Sequence, residues 1–446
     1  MGASAQVVVV GGGPSGIASA LAAARMGARV TLLERHSFLG GNMTLGLCMH
    51  TFENRQGKRV IEGIPAEFIR RMQQVGASPG PVAIRNAHMY STTPVDVEMV
   101  KLVAFTMLAE AGVDVRFQYP VSAVRLRGST IESLQVPAVN GLGEIDGDIF
   151  IDATGNGDLA AGAGIPFEVG RPGDGKIQPA SVVFTLEGVD LGPAVRRAGK
   201  GMAESVTPYS DGRVIPVWFA LTTTPWNTVI EEKGYFLGRD REFWGNSIRP
   251  GVFNLNASRV ALGDPTDPVQ YSAAVQEGMR QVEQMLDFLT RYVDGFEQAR
   301  LARIGPFLGI RESRRIVGEY LLSGEDVLSG TIFPDRVALG GYPIDIHDVT
   351  GGPTIAFLGI GGDGTYSIPY RSLLPQASPN LLLAGRCMST THGAHGGTRV
   401  MVTAMAVGEA AGTAAGLAAT RGVLPPVLPV ADLQAQLREQ GAKLDP

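Results

Sequence analysis

The residues best suited to move protons or hold charge fall in the last third of the chain. His347 stands between two acids in the stretch Tyr342-Pro-Ile-Asp-Ile-His-Asp348. Strand alternation places Asp345 and His347 on one face, as a general base with its orienter or as a hydrogen-bonded pair at a domain seam. Arg311, Arg314 and Arg315 cluster in GIRESRR. They read as salt-bridge partners of Glu312, Glu319 or Glu325, or as an anion clamp or proton donor. Further on, His392-Gly-Ala-His395-Gly-Gly-Thr-Arg399 precedes a small-residue helix expected over 400–419. The N-terminus of such a helix carries partial positive charge and free N–H groups. His392-x-x-His395 has metal-ligand spacing, but no third ligand is evident, so no metal is expected. The candidate catalytic residues are His392, Arg399, His347 and Arg315.

Those side chains need a scaffold, and the N-terminus supplies its first part. Gln6–Val10, QVVVV, reads as a buried strand, and Gly11, Gly13 and Gly16 then fit G-x-G-x-x-G. The Ala-rich Ile17–Met26 forms a helix, and Arg29–Leu33 forms a second strand ending in Glu34, 23 residues beyond Gly11. Strand, glycine turn, small-residue helix, strand and acid together describe a βαβ unit for a dinucleotide. The turn lets backbone N–H groups approach a pyrophosphate, and the acid accepts from ribose hydroxyls. Gly40, Gly41, Asn42 and Thr44 make a second backbone-exposed loop. As more than an ordinary glycine turn, it suits the diphosphate and ribityl chain of a longer cofactor and favours FAD over NAD.

Helices are expected at Ile61–Val75 and Pro94–Ala111, the second closed by Gly112. Two strand-like runs follow, and a buried strand over Gly147–Thr154 opens into Gly155-Asn156-Gly157-Asp158. Another strand, Asn380–Ala384, enters Gly385-Arg386. GIGGDG at 359–364 repeats the glycine fingerprint, but the TYSIPYR after it carries a proline and no small-residue helix. It is rejected as a second nucleotide site. Cofactor contacts are assigned to Gly11, Gly13, Pro14, Ser15, Gly16, Glu34, Arg35, Gly41, Asn42, Thr44, Val121, Thr154, Gly155, Asp158, Gly385, Arg386 and Val400.

LLERHSFLGGNMT, FIDATGNGDLAAGAGIPFEVGR, GIRESRRIVGEYLLSGEDVLSG, ALGGYPIDIHD, YSIPYRSLLP and LLLAGRCMSTTHGAHGGTRVMVTAMAVGEAAGTAA span nearly the whole chain. Together they resemble the FAD-dependent oxidoreductase family related to the flavoprotein subunit of heterodisulfide reductase. They more distantly resemble the fumarate reductase and succinate dehydrogenase flavoproteins. The resemblance implies an FAD enzyme and names no substrate. It also implies that arginines face the flavin, and that the helix over 400–419, aimed at flavin O2 and N1, favours the anionic reduced ring. The named relatives work with iron–sulfur proteins. Two isolated cysteines cannot hold a [4Fe–4S] cluster, so any cluster must come from a partner. Arg386 departs from the acid of the wider flavoprotein pattern, though it fits this family, and His395 replaces an expected apolar residue.

At 446 residues, two or three domains are expected. The fold expected is α/β: an FAD-binding Rossmann-like domain of the glutathione-reductase type with an inserted α+β substrate domain. The divisions are 1–165 and 346–424 for the FAD-binding parts, 166–345 for the insertion, and 425–446 for a tail with a helix at Ala431–Gln440. The insertion holds all three tryptophans and a helix at Gln270–Val293, and its tryptophans are read as core before ligand. A net charge of −5 gives no basic footprint, so no nucleic acid is expected. Two distant cysteines point to reduced thiols and a cytoplasmic location. No signal peptide or membrane span is expected; Gly408, Gly412 and Gly416 mimic a membrane seam, but Glu409 among them argues for close packing. A small-molecule substrate is expected, and an external electron-transfer partner or a homo-oligomer is compatible with this reading. An FAD-dependent oxidoreductase passing hydride between that substrate and flavin N5 is the leading expectation. A flavoprotein electron-transfer subunit is the alternative.

Overall fold

Four consecutive valines cannot alternate between core and solvent, so the strand they form is covered on both faces. This is β1, Gln6–Val10, and Val7, Val8 and Val9 are wholly buried. The computed structural model describes residues 6–84, 89–138, 141–190, 193, 205–208, 214–237, 242–348 and 356–446. Around β1 the chain adds α1 (Pro14–Arg25), β2 (Arg29–Glu34), α2 (Ile64–Gln74), α3 (Val97–Glu110), β3 (Asp114–Phe117) and β4 (Ile149–Asp152). The last part adds β5 (Leu381–Leu383), α4 (His392–Thr398), α5 (Met401–Arg421) and α6 (Val430–Glu439). The strands form one parallel sheet in the order β5-β4-β1-β2-β3.

Element ends follow local chemistry. Gly63, at φ 71°, delays α2 to Ile64, and the Asp96 side chain accepts from the Glu98 and Met99 N–H groups to start α3 at Val97. Gly40–Thr44, read as a loop, contains a 3₁₀ turn over Gly41–Thr44. The helix expected over 400–419 is preceded by a short one, α4, with Arg399 and Val400 at the junction. After GIGGDG comes a strand, Tyr366–Pro369, with no phosphate-binding helix.

Helix α5 lies along α1 in the same direction. A Cβ at Gly408 would sit 2.2 Å from the Ser15 carbonyl oxygen, and one at Gly412 would sit 2.1 Å from that of Ser19. Ser19 Oγ donates to the Gly408 carbonyl at 2.9 Å. The glycine repeat is thus a close helix–helix contact inside the protein. α5 is long and apolar enough to cross a membrane by length and composition, yet 94% of its most apolar window is buried.

The second unit is a six-stranded antiparallel sheet. Its order is Ser205–Pro208, Val214–Thr222, Glu242–Asn246, Val252–Asn256, Phe184–Glu187, Arg300–Ile304. Helix Pro268–Tyr292 contributes Met285, Phe288 and Leu289 to a core shared with Phe184, Phe243, Phe253 and Phe296. Trp226 is buried in this core and donates its indole N–H to the Tyr292 carbonyl. Trp244 is half-buried, and the Trp218 side chain lies outside the described residues. The boundary differs from the expected 166–345: the second core draws on residues 180–310. Ile316, Leu322, Val327, Leu339 and Ile344 pack into the first core instead. The shift in composition after Pro166 does not locate the edge of the second core, and apolar residues carry no mark of which core they join.

Candidate functional site

The carboxyl ends of β2, β1, β4 and β5 present Glu34, Gly11, Thr154 and Gly385 in that spatial order. At ordinary strand spacing the row spans about 14 Å, the scale of a dinucleotide. Glu34 is buried and accepts from the Gly12 N–H at 2.6 Å and the His36 N–H at 2.8 Å. Burial pushes its carboxyl upward while those hydrogen bonds pull the other way, and lone pairs remain for ribose hydroxyls. Arg35 reaches His36, and the Tyr119 N–H donates to the Glu34 carbonyl, which brings the segment holding Val121 beside the acid.

The three fingerprint glycines do different work. Gly11 has φ +103°, and a Cβ at Gly16 would lie 1.7 Å from the Gly11 carbonyl oxygen, so both are needed for the turn itself. Gly13 is extended, and a Cβ there would meet nothing nearer than Gly41 Cα at 3.9 Å. It leaves an open floor below the first turn of α1. There Pro14 opens the helix, and the leading N–H groups, including those of Ser15 and Gly16, have no intrahelical acceptor. Thr44 closes the neighbouring turn with Asn42 by bonding the Gly41 carbonyl at 2.8 Å, and Arg303 bonds the Thr44 carbonyl at 2.7 Å.

Asp152 shapes the opposite side of the groove. It accepts from the Thr154 N–H, the Thr154 hydroxyl and the Ala160 N–H, and burial pushes it up to about 6. Asp158 pairs with Arg314 at 3.3 Å. Gly385 has φ +79°, and a Cβ there would be 2.5 Å from Ser15 Oγ. Arg386 donates to the Gly155 and Ile310 carbonyls and to Asn156 Oδ1, with no carboxylate partner among the described residues. Burial brings its pKa down to about 10. A half-buried cation beside a row of free N–H groups suits an anionic cofactor.

Where the two cores meet, the candidate catalytic residues form two connected groups. His392 Nδ1 lies 2.8 Å from Glu312 Oε1. Glu312 is fully buried, pairs with Arg315 at 2.5 Å, and accepts from the Gln178 N–H at 3.1 Å. Arg315 also donates to the Thr390 and Gly170 carbonyls. Its donors are thus taken up by protein acceptors, and it holds Glu312 and, through it, His392. In the second group, Asp345 Oδ2 accepts from Tyr342 at 3.1 Å and Arg399 at 3.2 Å, and lies 3.3 Å from His347 Nε2. Burial opposes ionisation of Asp345, but His347 and Arg399 outweigh it and hold the carboxyl well below the usual range. Asp345 is therefore a fixed anion and His347 its hydrogen-bonded neighbour. Gln178 Oε1 links the group, 3.2 Å from the His347 N–H and 3.4 Å from Arg399.

Gln178 Nε2, Asp345 Oδ1, Arg399 Nε and both ring nitrogens of His395 are buried without a protein hydrogen-bond partner among the described residues. Beside them lies an apolar patch of Cys48, Met89, Tyr342 and Val400, edged by Trp244. His50 stacks on Tyr342 with centroids 5.9 Å apart, and burial lowers it to about 4. Burial raises the Cys48 thiol to about 12, so it stays protonated.

The profile of a family described as FAD dependent oxidoreductase matches residues 6–437. The chain belongs to this family. Its cofactor is FAD, and it is an oxidoreductase enzyme. Solved structures match this chain at low identity. A geranylgeranyl bacteriochlorophyll reductase-like protein from Thermoplasma acidophilum is 12% identical, with 98% of this chain and 84% of that chain covered and a TM-score of 0.49. The flavin-dependent brominase Bmp2 is 11% identical over 98% and 83%, with a TM-score of 0.47. A p-nitrophenol 4-monooxygenase from Pseudomonas putida is 12% identical over 94% and 80%, with a TM-score of 0.46.

FAD fits the groove: open space over Gly13, leading helix N–H groups, a buried acid at one end and a half-buried cation further along. In this flavoprotein the candidate catalytic residues lie at the seam, with Arg315 set behind Glu312. Sequence reading missed Gln178, which sits in a featureless KIQPAS stretch, and took Glu312 only as an arginine's partner. The His392–Glu312 distance in space had no signal in their 80-residue separation.

Proposed function

We propose that this oxidoreductase passes hydride between a small organic molecule and flavin N5 at the seam of its two cores. The supporting observation is the set of buried polar atoms without protein partners, drawn from Gln178, Asp345, Arg399 and His395. Leaving such atoms unpaired costs about 1–3 kcal/mol each, so they call for a polar ligand. FAD supplies the hydride-exchanging ring when bound. Arg399, anchored by the Asp345 carboxylate and carbonyl, holds positive charge where negative charge develops. His392, oriented through Nδ1 by Glu312, keeps Nε2 for a proton taken from or given to the substrate. The apolar patch around Cys48 and Tyr342 excludes water from one side.

Kinship with the heterodisulfide reductase flavoprotein subunit belongs to this reading, as does a cytoplasmic location for a chain whose two cysteines are free. The test is an anaerobic screen of small organic molecules for bleaching of the flavin band, followed by deuteration of any active donor. Bleaching slowed by deuterium is expected, with His392→Ala removing one limb of the pH–rate profile. Reduction by one-electron carriers alone, with no small molecule active, would assign the chain to electron transfer instead.

A further inference from the structure

His395 is 1% exposed, and neither ring nitrogen has a hydrogen-bond partner among the described residues. An imidazole always carries at least one N–H, and burying it unpaired is costly. Protonation offers no escape: burial and the positive fields of Arg315, Arg399 and Arg386 keep the ring neutral. A neutral ring cannot serve as a charge clamp, and it is poorly placed as a proton carrier. What remains is a fixed hydrogen bond to a ligand that reaches this depth.

The packing of two helices indicates which ligand does so. α5 runs parallel to α1, with Gly408 against Ser15 and Gly412 against Ser19. Met401, the first residue of α5, therefore lies seven residues beyond the level of the diphosphate turn, or about 10 Å at helical rise. α4, which carries His395, leads directly into that end, with the Arg399 N–H bonded to the His395 carbonyl. The adenosine end of the groove is fixed on the other side of β1 by Glu34 on β2, while β4 and β5 with Gly155 and Gly385 lie on this side. A cofactor with its ribose at Glu34 and its diphosphate at Ser15 thus extends its ring system toward α4.

We propose that His395 donates a hydrogen bond to a carbonyl oxygen of the flavin ring and so sets the ring's position and electron affinity. This rests on the seam reading above and adds a contact to it. A donor at a ring carbonyl stabilises the electron-rich reduced ring more than the oxidised one. The bond therefore raises the reduction potential as well as the affinity for FAD.

The test uses FAD-loaded wild type, His395→Leu and His395→Gln, with FAD binding, visible spectrum and reduction potential measured on each. His395→Leu is expected to weaken FAD binding about three- to tenfold, the loss of one neutral hydrogen bond. It should also shift the flavin bands and make the potential more negative. His395→Gln, which keeps an N–H donor, should recover part of each change, and it carries the test if the leucine variant does not fold. Unchanged binding, bands and potential in both variants, while wild type binds FAD normally, would overturn the contact alone. A wild type that takes up no FAD would overturn the seam reading with it.

Discussion

At the scale of single residues, the cofactor glycines separate into those the fold needs and one that the ligand needs. Gly16 has the Gly11 carbonyl 1.7 Å from where a Cβ would stand, so Gly16→Val should prevent the turn from forming. Gly13 has room, with its nearest neighbour at 3.9 Å and an ordinary extended backbone. Gly13→Val should therefore give a folded protein of near-normal melting temperature that binds no FAD. Circular dichroism melting and the visible spectrum on one preparation check both halves; a yellow Gly13→Val protein would misplace the diphosphate. This distinction was not legible in G-x-G-x-x-G, which marks all three glycines alike. The fingerprint itself was legible because local turn chemistry fixes it. Glu312 and Gln178 were not, since their roles arise from contacts with His392, 80 residues away, and Arg399, 221 residues away, respectively.

At the scale of elements, α5 was readable as a helix from its small residues, and its partner α1 only from the structure. Glu409 lies on α5 and is 1% exposed, yet its Oε2 accepts the Ile64 N–H at the start of α2 at 3.0 Å. Gly63 before it has no capping side chain, so an acid from another helix takes that place. Burial raises Glu409 to about 8, against an ordinary value of 4.5. An acid raised in the folded state binds its proton more tightly there than when unfolded. Its stabilising contribution is full below about pH 4.5 and is lost as pH rises toward about 8. Glu409→Gln keeps an acceptor for Ile64 without the titration. Between pH 5 and 8 wild type should lose several kcal/mol relative to the glutamine variant, seen as a narrowing or reversal of the gap between their denaturation midpoints. A gap independent of pH would show that Glu409 is ionised in place.

At the scale of the whole molecule, the second core is docked against the first by specific polar links. Asn246 of the inserted sheet donates to the Gly46 carbonyl at 2.7 Å, and Asn254 and Thr185 continue that chain of hydrogen bonds. The parallel sheet was foreseeable from the strand, glycine turn, helix and strand of residues 6–34. The return of residues 316–344 to the first core was not, because apolar runs do not name the core they enter. In the proposed function, Arg399, held by Asp345, turns its positive charge toward the flavin ring. Sulfite tests it without a known substrate: it adds to flavin N5, and the anionic adduct is stabilised by nearby positive charge. FAD-loaded wild type should bleach on sulfite titration. Arg399→Gln should weaken adduct formation about tenfold or more, the loss of one close charge interaction in a partly buried site, while Arg399→Lys should retain much of it. Equal sulfite affinity in wild type and Arg399→Gln, with FAD fully bound in both, would place the Arg399 charge away from the flavin ring.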